Sequence, residues 1–367
     1  MEKAKISAIQ LFALMFIFDL GTALIVSYGI PAGKDAWIAI LLGMCGGILL
    51  FFIYYMLFRQ YPNLPLTGYV RKIFGNYLGW VLGLLYCLFF LYTAARNIRD
   101  FGDLLVSSTL PETPLLAINL SLVLVICYVI YLGIEVVGRT AEVFIVILLL
   151  LGIGANFFVL VSGDVDFHHV RPFIEHGWKP ILTTAFPSVV SFPFGEMIVF
   201  TMLLPYLNRP QLAKKVWLFA VISSGLILSW TAALNLSVLG VDVMERSTFP
   251  TLATIGKVNL FDFIERLDAI VVFTLLMTVF FKSSIFLYGA VIGIVDLFKL
   301  KGHKQLILPI GIILIFLSMT IASSFSEHLE EGLGINIKYI NVPFFIIFPL
   351  FMLIISIIQN YVKKKTD

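Results

Sequence analysis

The chain has 367 residues, 60% of them hydrophobic and only 13% charged, with a mean hydropathy of +1.01. So little charge excludes a soluble globular domain, which would be left with large aggregating apolar patches. The net charge of +3 says little about a partner, because basic residues in such a chain mainly set topology. In lipid the backbone must satisfy its own hydrogen bonds, so each crossing is a helix or part of a closed barrel. Apolar runs of about twenty residues fit helices, whereas barrel strands would be about ten residues long and alternating. An all-α polytopic membrane protein follows, with ten predicted spans.

The first span, 8–30, follows Lys3 and Lys5 and carries no small-residue cleavage site, so it is expected to stay in the membrane. Phe18-Asp19-Leu20-Gly21-Thr22 interrupts it near mid-depth. The second, 36–58, holds no charge between Ala36 and Phe58. In the third, 73–99, Tyr86, Phe89, Phe90 and Tyr92 either roof a small pocket or simply pack. The fourth and fifth, 115–134 and 140–161, are uniformly apolar over most of their length. The connection 162–179 holds His168, His169 and His176 with Asp164 and Asp166, for which a solvated loop is favoured over a metal site. Ser191-Phe192-Pro193-Phe194-Gly195-Glu196 interrupts the sixth span, 180–206: Pro193 removes an intrahelical hydrogen bond and Gly195 relaxes the backbone. The seventh is 213–240, and the connection 241–263, like 162–179, has room for short surface helices. The eighth, 264–296, carries Thr274, Thr278 and Lys282 four residues apart, one polar stripe on an apolar helix. The ninth and tenth are 306–324 and 342–362. Lys363-Lys364-Lys365 then serve as a topology determinant or as a contact to anionic membrane lipid.

Cytoplasmic placement of both termini puts most of the Lys and Arg residues inside. Asp164, Asp166, Glu175, Asp242, Glu245, Glu327, Glu330 and Glu331 then fall outside. Cys45, Cys87 and Cys127 lie in apolar runs without CxxC spacing or a nearby His, so packing is their expected role and no metal or other cofactor is called for. Unwound backbone at membrane depth is tolerated only where protein buries it or a cavity adjoins it. Interruptions at corresponding places in spans one and six suggest two five-helix repeats of opposite orientation, 1–161 and 180–362, in one membrane domain. Asp19, Glu196 and Lys282 are the intramembrane charges, costly unless paired or hydrated. Either an Asp–Lys or Glu–Lys pair holds helices together, or Lys282 places a fixed cation where sodium-coupled proteins of this type hold an ion.

The order of short motifs adds to this. Ile6-Ser7 with Gln10-Leu11, Gly21-Thr22, Tyr61-Pro62, Gly75 and Gly79 are followed by Arg171-Pro172-Phe173, Gly177 and Pro180-Ile181-Leu182. Phe192-Pro193-Phe194-Gly195-Glu196 and Pro205 complete the series. Over essentially its whole length the chain resembles the B subunits of bacterial spore germinant receptors, within the amino acid–polyamine–organocation superfamily. The resemblance implies a LeuT-like fold of 5+5 helices with broken spans one and six, in the inner membrane of a spore, with an A-type membrane subunit and a C-type lipoprotein as partners. It implies sensing of a small nutrient germinant, such as an amino acid, at the unwound parts of spans one and six with spans three and eight. On this chain that points to Gly21, Thr22, Phe194, Gly195, Tyr86, Phe90, Thr274 and Thr278, with Phe273 and Phe281 as equal candidates in span eight. A zwitterionic ligand would set its carboxylate near Gly21-Thr22 and its ammonium near the Phe192–Phe194 carbonyls. The alternative is a secondary transporter of amino acids. A water or ion conduit lacks a selectivity motif, and a membrane enzyme lacks a nucleophile or metal set.

Overall fold

The computed structural model describes residues 5–26, 28–258 and 267–366, with side chains as far as Val362. Lys3, the side chains of Lys363–Lys365, and residues 259–266, which include the first turn of the predicted eighth span, lie outside the described residues.

Helix α1 (Ala8–Leu20) opens on a capping box, in which the Ser7 hydroxyl accepts from the Gln10 amide and the Gln10 side chain accepts from the Ser7 amide. It stops at Gly21, whose φ of +35° disfavours any residue with a Cβ, and resumes as a short 3-10 turn, Thr22–Leu24. Next come α2 (Ala36–Gln60), the short α3 (Leu66–Phe74), α4 (Asn76–Ser108), α5 (Leu115–Leu132) and α6 (Ile134–Val161). The second interruption is longer than the first. Helix α7 (Trp178–Thr183) passes into a π-turn over Thr184–Val189, and the chain resumes as a 3-10 helix, Phe194–Met202. Then follow α8 (Ala213–Leu239), the short surface helix α9 (Val241–Arg246), the short and largely buried α10 (Pro250–Gly256), α11 (Asp268–Leu297), α12 (Lys304–Thr320), α13 (Phe325–Glu330) and, after π-helical turns from Glu331 to Ile347, α14 (Phe348–Thr366).

Eight helical stretches among the described residues are long and apolar enough to cross a membrane. Two predicted spans fall short: α1 has 13 residues, and α12 has 17 and is bent by 104° from the Phe325–Ile335 stretch that follows, a pair that makes a ninth if counted together. The protein is thus a polytopic membrane protein, and length and composition stop short of the ten expected spans. The third span differs most from expectation. It runs to Ser108 rather than to residue 99, and Arg96 and Arg99 within it are buried.

The core is one cluster running through α1, α2, α4, the Phe194–Met202 segment, α8 and α11. Small residues set its closest approaches. A Cβ on Gly43 would come within 2.3 Å of Val189, one on Gly46 within 2.3 Å of Val190, and one on Gly47 within 2.5 Å of Phe194, so α2 presents a glycine face to the second interruption. The two broken spans are also tied at one end: the Ile6 amide donates to the Tyr206 carbonyl at 2.9 Å and the Asn208 amide to the Ile6 carbonyl at 3.0 Å. At the other end, Lys34 pairs with Glu175 at 2.6 Å, holding that carboxyl below its usual pKa, and Asp35 accepts from the Ile174 amide.

Candidate ligand cavity at the two broken helices

The intramembrane charges meet where the two interruptions meet. Lys282 Nζ lies 2.5 Å from Glu196 Oε2, and both side chains are buried. The ammonium also sits 4.7 Å from the centre of the Phe192 ring and 5.4 Å from that of Phe18, within cation–π range. Asp19 takes a different partner, accepting from the Ser224 hydroxyl of α8. Gly21 leaves the room Lys282 needs: a Cβ there would stand 2.6 Å from its Cδ and 2.9 Å from its Nζ. One turn earlier on α11, the Thr278 hydroxyl donates to the Gly21 carbonyl at 3.1 Å, satisfying an acceptor at the end of α1. The polar stripe of α11 therefore holds the first break in place.

Beside this pair lies a small polar cavity of about 60 Å³, bordered by Thr22 and Val26 of the first span and by Phe192 and Glu196 of the sixth. Thr93, Arg96, Asn97 and Asp100 of α4, and Asn336 and Asn341 of the stretch before α14, complete it. Thr22 Oγ1 lies 3.4 Å from Asn97 Oδ1, while Asn97 Nδ2 donates to the Thr93 carbonyl at 2.7 Å. Arg96 donates to the His328 carbonyl, and His328 Nε2 lies 2.8 Å from Asp100 Oδ1, so α13 is fastened to α4 over the cavity. The Asn336 carboxamide oxygen has no hydrogen-bond partner among the described residues. Val26, Phe192, Leu329 and Leu333 also border a wider vestibule of about 420 Å³, which reaches Tyr28 and the end of α9 with the two residues after it, Glu245–Thr248. That volume is within the range of small-molecule sites.

Of the residues expected to bind ligand, Thr22 borders the polar cavity, Gly21 adjoins it in sequence, and Thr278 bonds to Gly21 from behind. Tyr86 and Phe90 lie elsewhere: the Tyr86 hydroxyl donates to the Phe344 carbonyl at 2.9 Å, and Phe90 packs on Phe286 and Phe89. Phe194 is pressed against Gly47, and the Gly195 carbonyl faces the Tyr54 hydroxyl at 3.3 Å. Thr274 borders a separate lateral cavity. The contribution of span three instead comes from Thr93, Arg96, Asn97 and Asp100, about two turns further along. Their signal in the sequence is polar residues at intervals of three and four at the end of an apolar run. The histidines of the outer connection do not gather: His169 Nδ1 meets the Ser237 carbonyl, and the His168 amide donates to Asp166.

Two interrupted helices around a polar pocket, in a bundle of apolar helices, define a membrane protein of the secondary-transporter fold. Solved structures bear this out. The nucleobase–cation-symport-1 family transporter Mhp1, in a closed conformation with bromovinylhydantoin bound, matches 90% of this chain and 75% of its own at a TM-score of 0.66 and 16% identity. MhsT in complex with L-phenylalanine matches 95% and 87% at 0.64 and 13%. These likenesses concern the fold alone. The chain belongs to the spore germination protein family, whose description matches residues 5–326. It is 41% identical to spore germination protein KB of Bacillus subtilis (strain 168), over 100% of this chain and 98% of that protein. Spore germination protein YndE of the same organism is 24% identical, over 91% and 94%.

Proposed function

We propose that this chain is the nutrient-sensing subunit of a spore germinant receptor. A small germinant, with an amino acid the favoured class, binds in the polar cavity and vestibule at the two broken helices. The observation that carries this reading is the polar cavity itself, where Thr22, Asn97, Glu196 and Asn336 converge from both interruptions and two further elements. A ligand held there touches both interrupted spans, α4 and the stretch before α14, and shifts the populations of any bundle arrangements it binds unequally. On this reading the molecule works in the inner membrane of the spore with both termini cytoplasmic. It is built as two five-helix repeats, 1–161 and 180–362, and passes its shape change to an A-type membrane subunit and a C-type lipoprotein.

The fold it shares with Mhp1 and MhsT supports one alternative, secondary transport of amino acids. Both readings are tested on the purified chain with a panel of common amino acids. We expect at least one to bind by titration calorimetry, and Asn336→Leu to weaken it about tenfold, the loss of one hydrogen bond to ligand. Unchanged binding by Asn336→Leu would remove the cavity from the reading. Concentrative uptake of the same amino acid by proteoliposomes of the chain alone would favour the transporter.

A further inference from the structure

A second cavity, of about 510 Å³, opens sideways between α1, α6, α8 and α11. Phe16, Leu20 and Leu24 of the first span, Leu148 and Ile153 of α6 and Thr274 of α11 wall it, and no charged residue is among those that border it. Its mouth faces the bilayer: Ile153, Phe157 and Trp230 are 67%, 59% and 48% exposed on a surface that meets lipid. Space of that size would take on the order of fifteen waters at about 30 Å³ each, and each buried water needs two to four polar partners. The walls offer few. The solvent that reaches the mouth is hydrocarbon, and hydrocarbon fits the walls.

The polar groups that border this cavity are uncharged. Trp230 Nε1 donates to Asn156 Oδ1 at 2.7 Å and Asn235 Nδ2 to Thr251 Oγ1 at 2.9 Å, so these four groups already have partners. Thr254 borders the space, but its hydroxyl, which has no partner among the described residues, is sealed from it. Leu148 stands about two turns from Asn156 on α6, which gives the apolar part a length of about 12 Å. An alkyl chain fills the apolar part and needs no hydrogen-bond partner there. We propose that this cavity binds one acyl chain of a membrane lipid, inserted between α6 and α8. The chain lies against Leu20, Leu24 and Thr278, the last of which holds the Gly21 carbonyl, and so supports the first break from its lipid side. This holds whatever ligand the polar cavity takes.

Gly152 provides the test, because a Cβ added there meets nothing within 4 Å and a phenylalanine side chain would enter the cavity. Gly154 is equally unobstructed but does not border it, so Gly154→Phe controls for tolerance of the helix. The full chain is placed in phosphatidylglycerol nanodiscs containing a phosphatidylglycerol with a diazirine in mid-chain, irradiated, and mapped by peptide mass spectrometry. We expect labelling at Leu24 and Thr274 as well as at lipid-facing residues such as Phe316. Gly152→Phe should lower the first two about tenfold against Phe316, the effect of about two methylenes losing burial, while Gly154→Phe leaves them unchanged. Thr274→Phe closes the cavity from the opposite wall and gives the readout at Leu24 should a phenylalanine at 152 prevent folding. Labelling confined to lipid-facing residues, or labelling of Leu24 that neither cavity-filling variant lowers, would overturn the proposal.

Discussion

At the scale of single residues, the Lys282–Glu196 pair governs the centre of the molecule. A buried ion pair adds little by itself, since desolvation offsets most of the attraction, but removal of one partner strands the other charge. Lys282→Met should therefore cost about 3–5 kcal/mol of stability, read as an earlier midpoint when unfolding is followed by titration with sodium dodecyl sulfate. The double variant Lys282→Met with Glu196→Leu should recover most of that loss. Equal instability of the single and double variants would show that the charges do not act as a pair. Sequence alone made all three charges legible, because ionised groups in apolar runs stand out. Their pairing was not legible. Asp19 and Glu196 are equivalent candidates for Lys282 until the fold sets Ser224 of α8 beside Asp19, and nothing local distinguishes Ser224 from the other serines of that helix.

The interrupted elements depend on a neighbour that has no interruption of its own. Helix α2 carries Gly43, Gly46 and Gly47 on the face that receives Val189, Val190 and Phe194. Gly47→Leu forces a side chain into the space of the Phe194 side chain, and overpacking of this kind costs about 1–3 kcal/mol. The same substitution at Gly334, where a Cβ meets nothing within 4 Å, should leave the unfolding midpoint nearly unchanged. A similar midpoint for both variants would mean that α2 and the sixth span can separate without loss. Both interruptions were visible in the sequence through Gly21 and Pro193. The 3-10 character of Phe194–Met202 was not, because its residues are as compatible with an α-helix. Hydropathy likewise ends the third span near residue 99, where Asp100 and Asp103 follow Arg96 and Arg99. Two kinds of contact keep this end of α4 helical and inside: Arg99 pairs with Asp103 one turn on at 2.6 Å, and Arg96 and Asp100 bind His328 from distant sequence.

The whole molecule is closed at one end and open at the other. The vestibule widens toward Glu245–Thr248, whereas beyond the Lys282–Glu196 pair the bundle is filled by Phe18, Phe200, Phe286 and Trp217 and is tied by the Ile6 bridge to Tyr206 and Asn208. Cysteine accessibility tests this asymmetry once Cys45, Cys87 and Cys127 have been replaced. Leu333→Cys, on the wall shared by the polar cavity and the vestibule, should react readily with a membrane-impermeant maleimide. Ala13→Cys, at a fully buried position on the closed side, should be protected. Ile6→Pro removes the amide that donates to Tyr206. The loss of about 1 kcal/mol should raise the open fraction, and with it the labelling rate of Ala13→Cys, about fivefold, with Leu333→Cys little changed or slower. Equal rates for the two cysteines before Ile6 is altered would place the closed barrier elsewhere. A rate for Ala13→Cys that ignores Ile6→Pro would relieve the bridge of any part in closing the bundle.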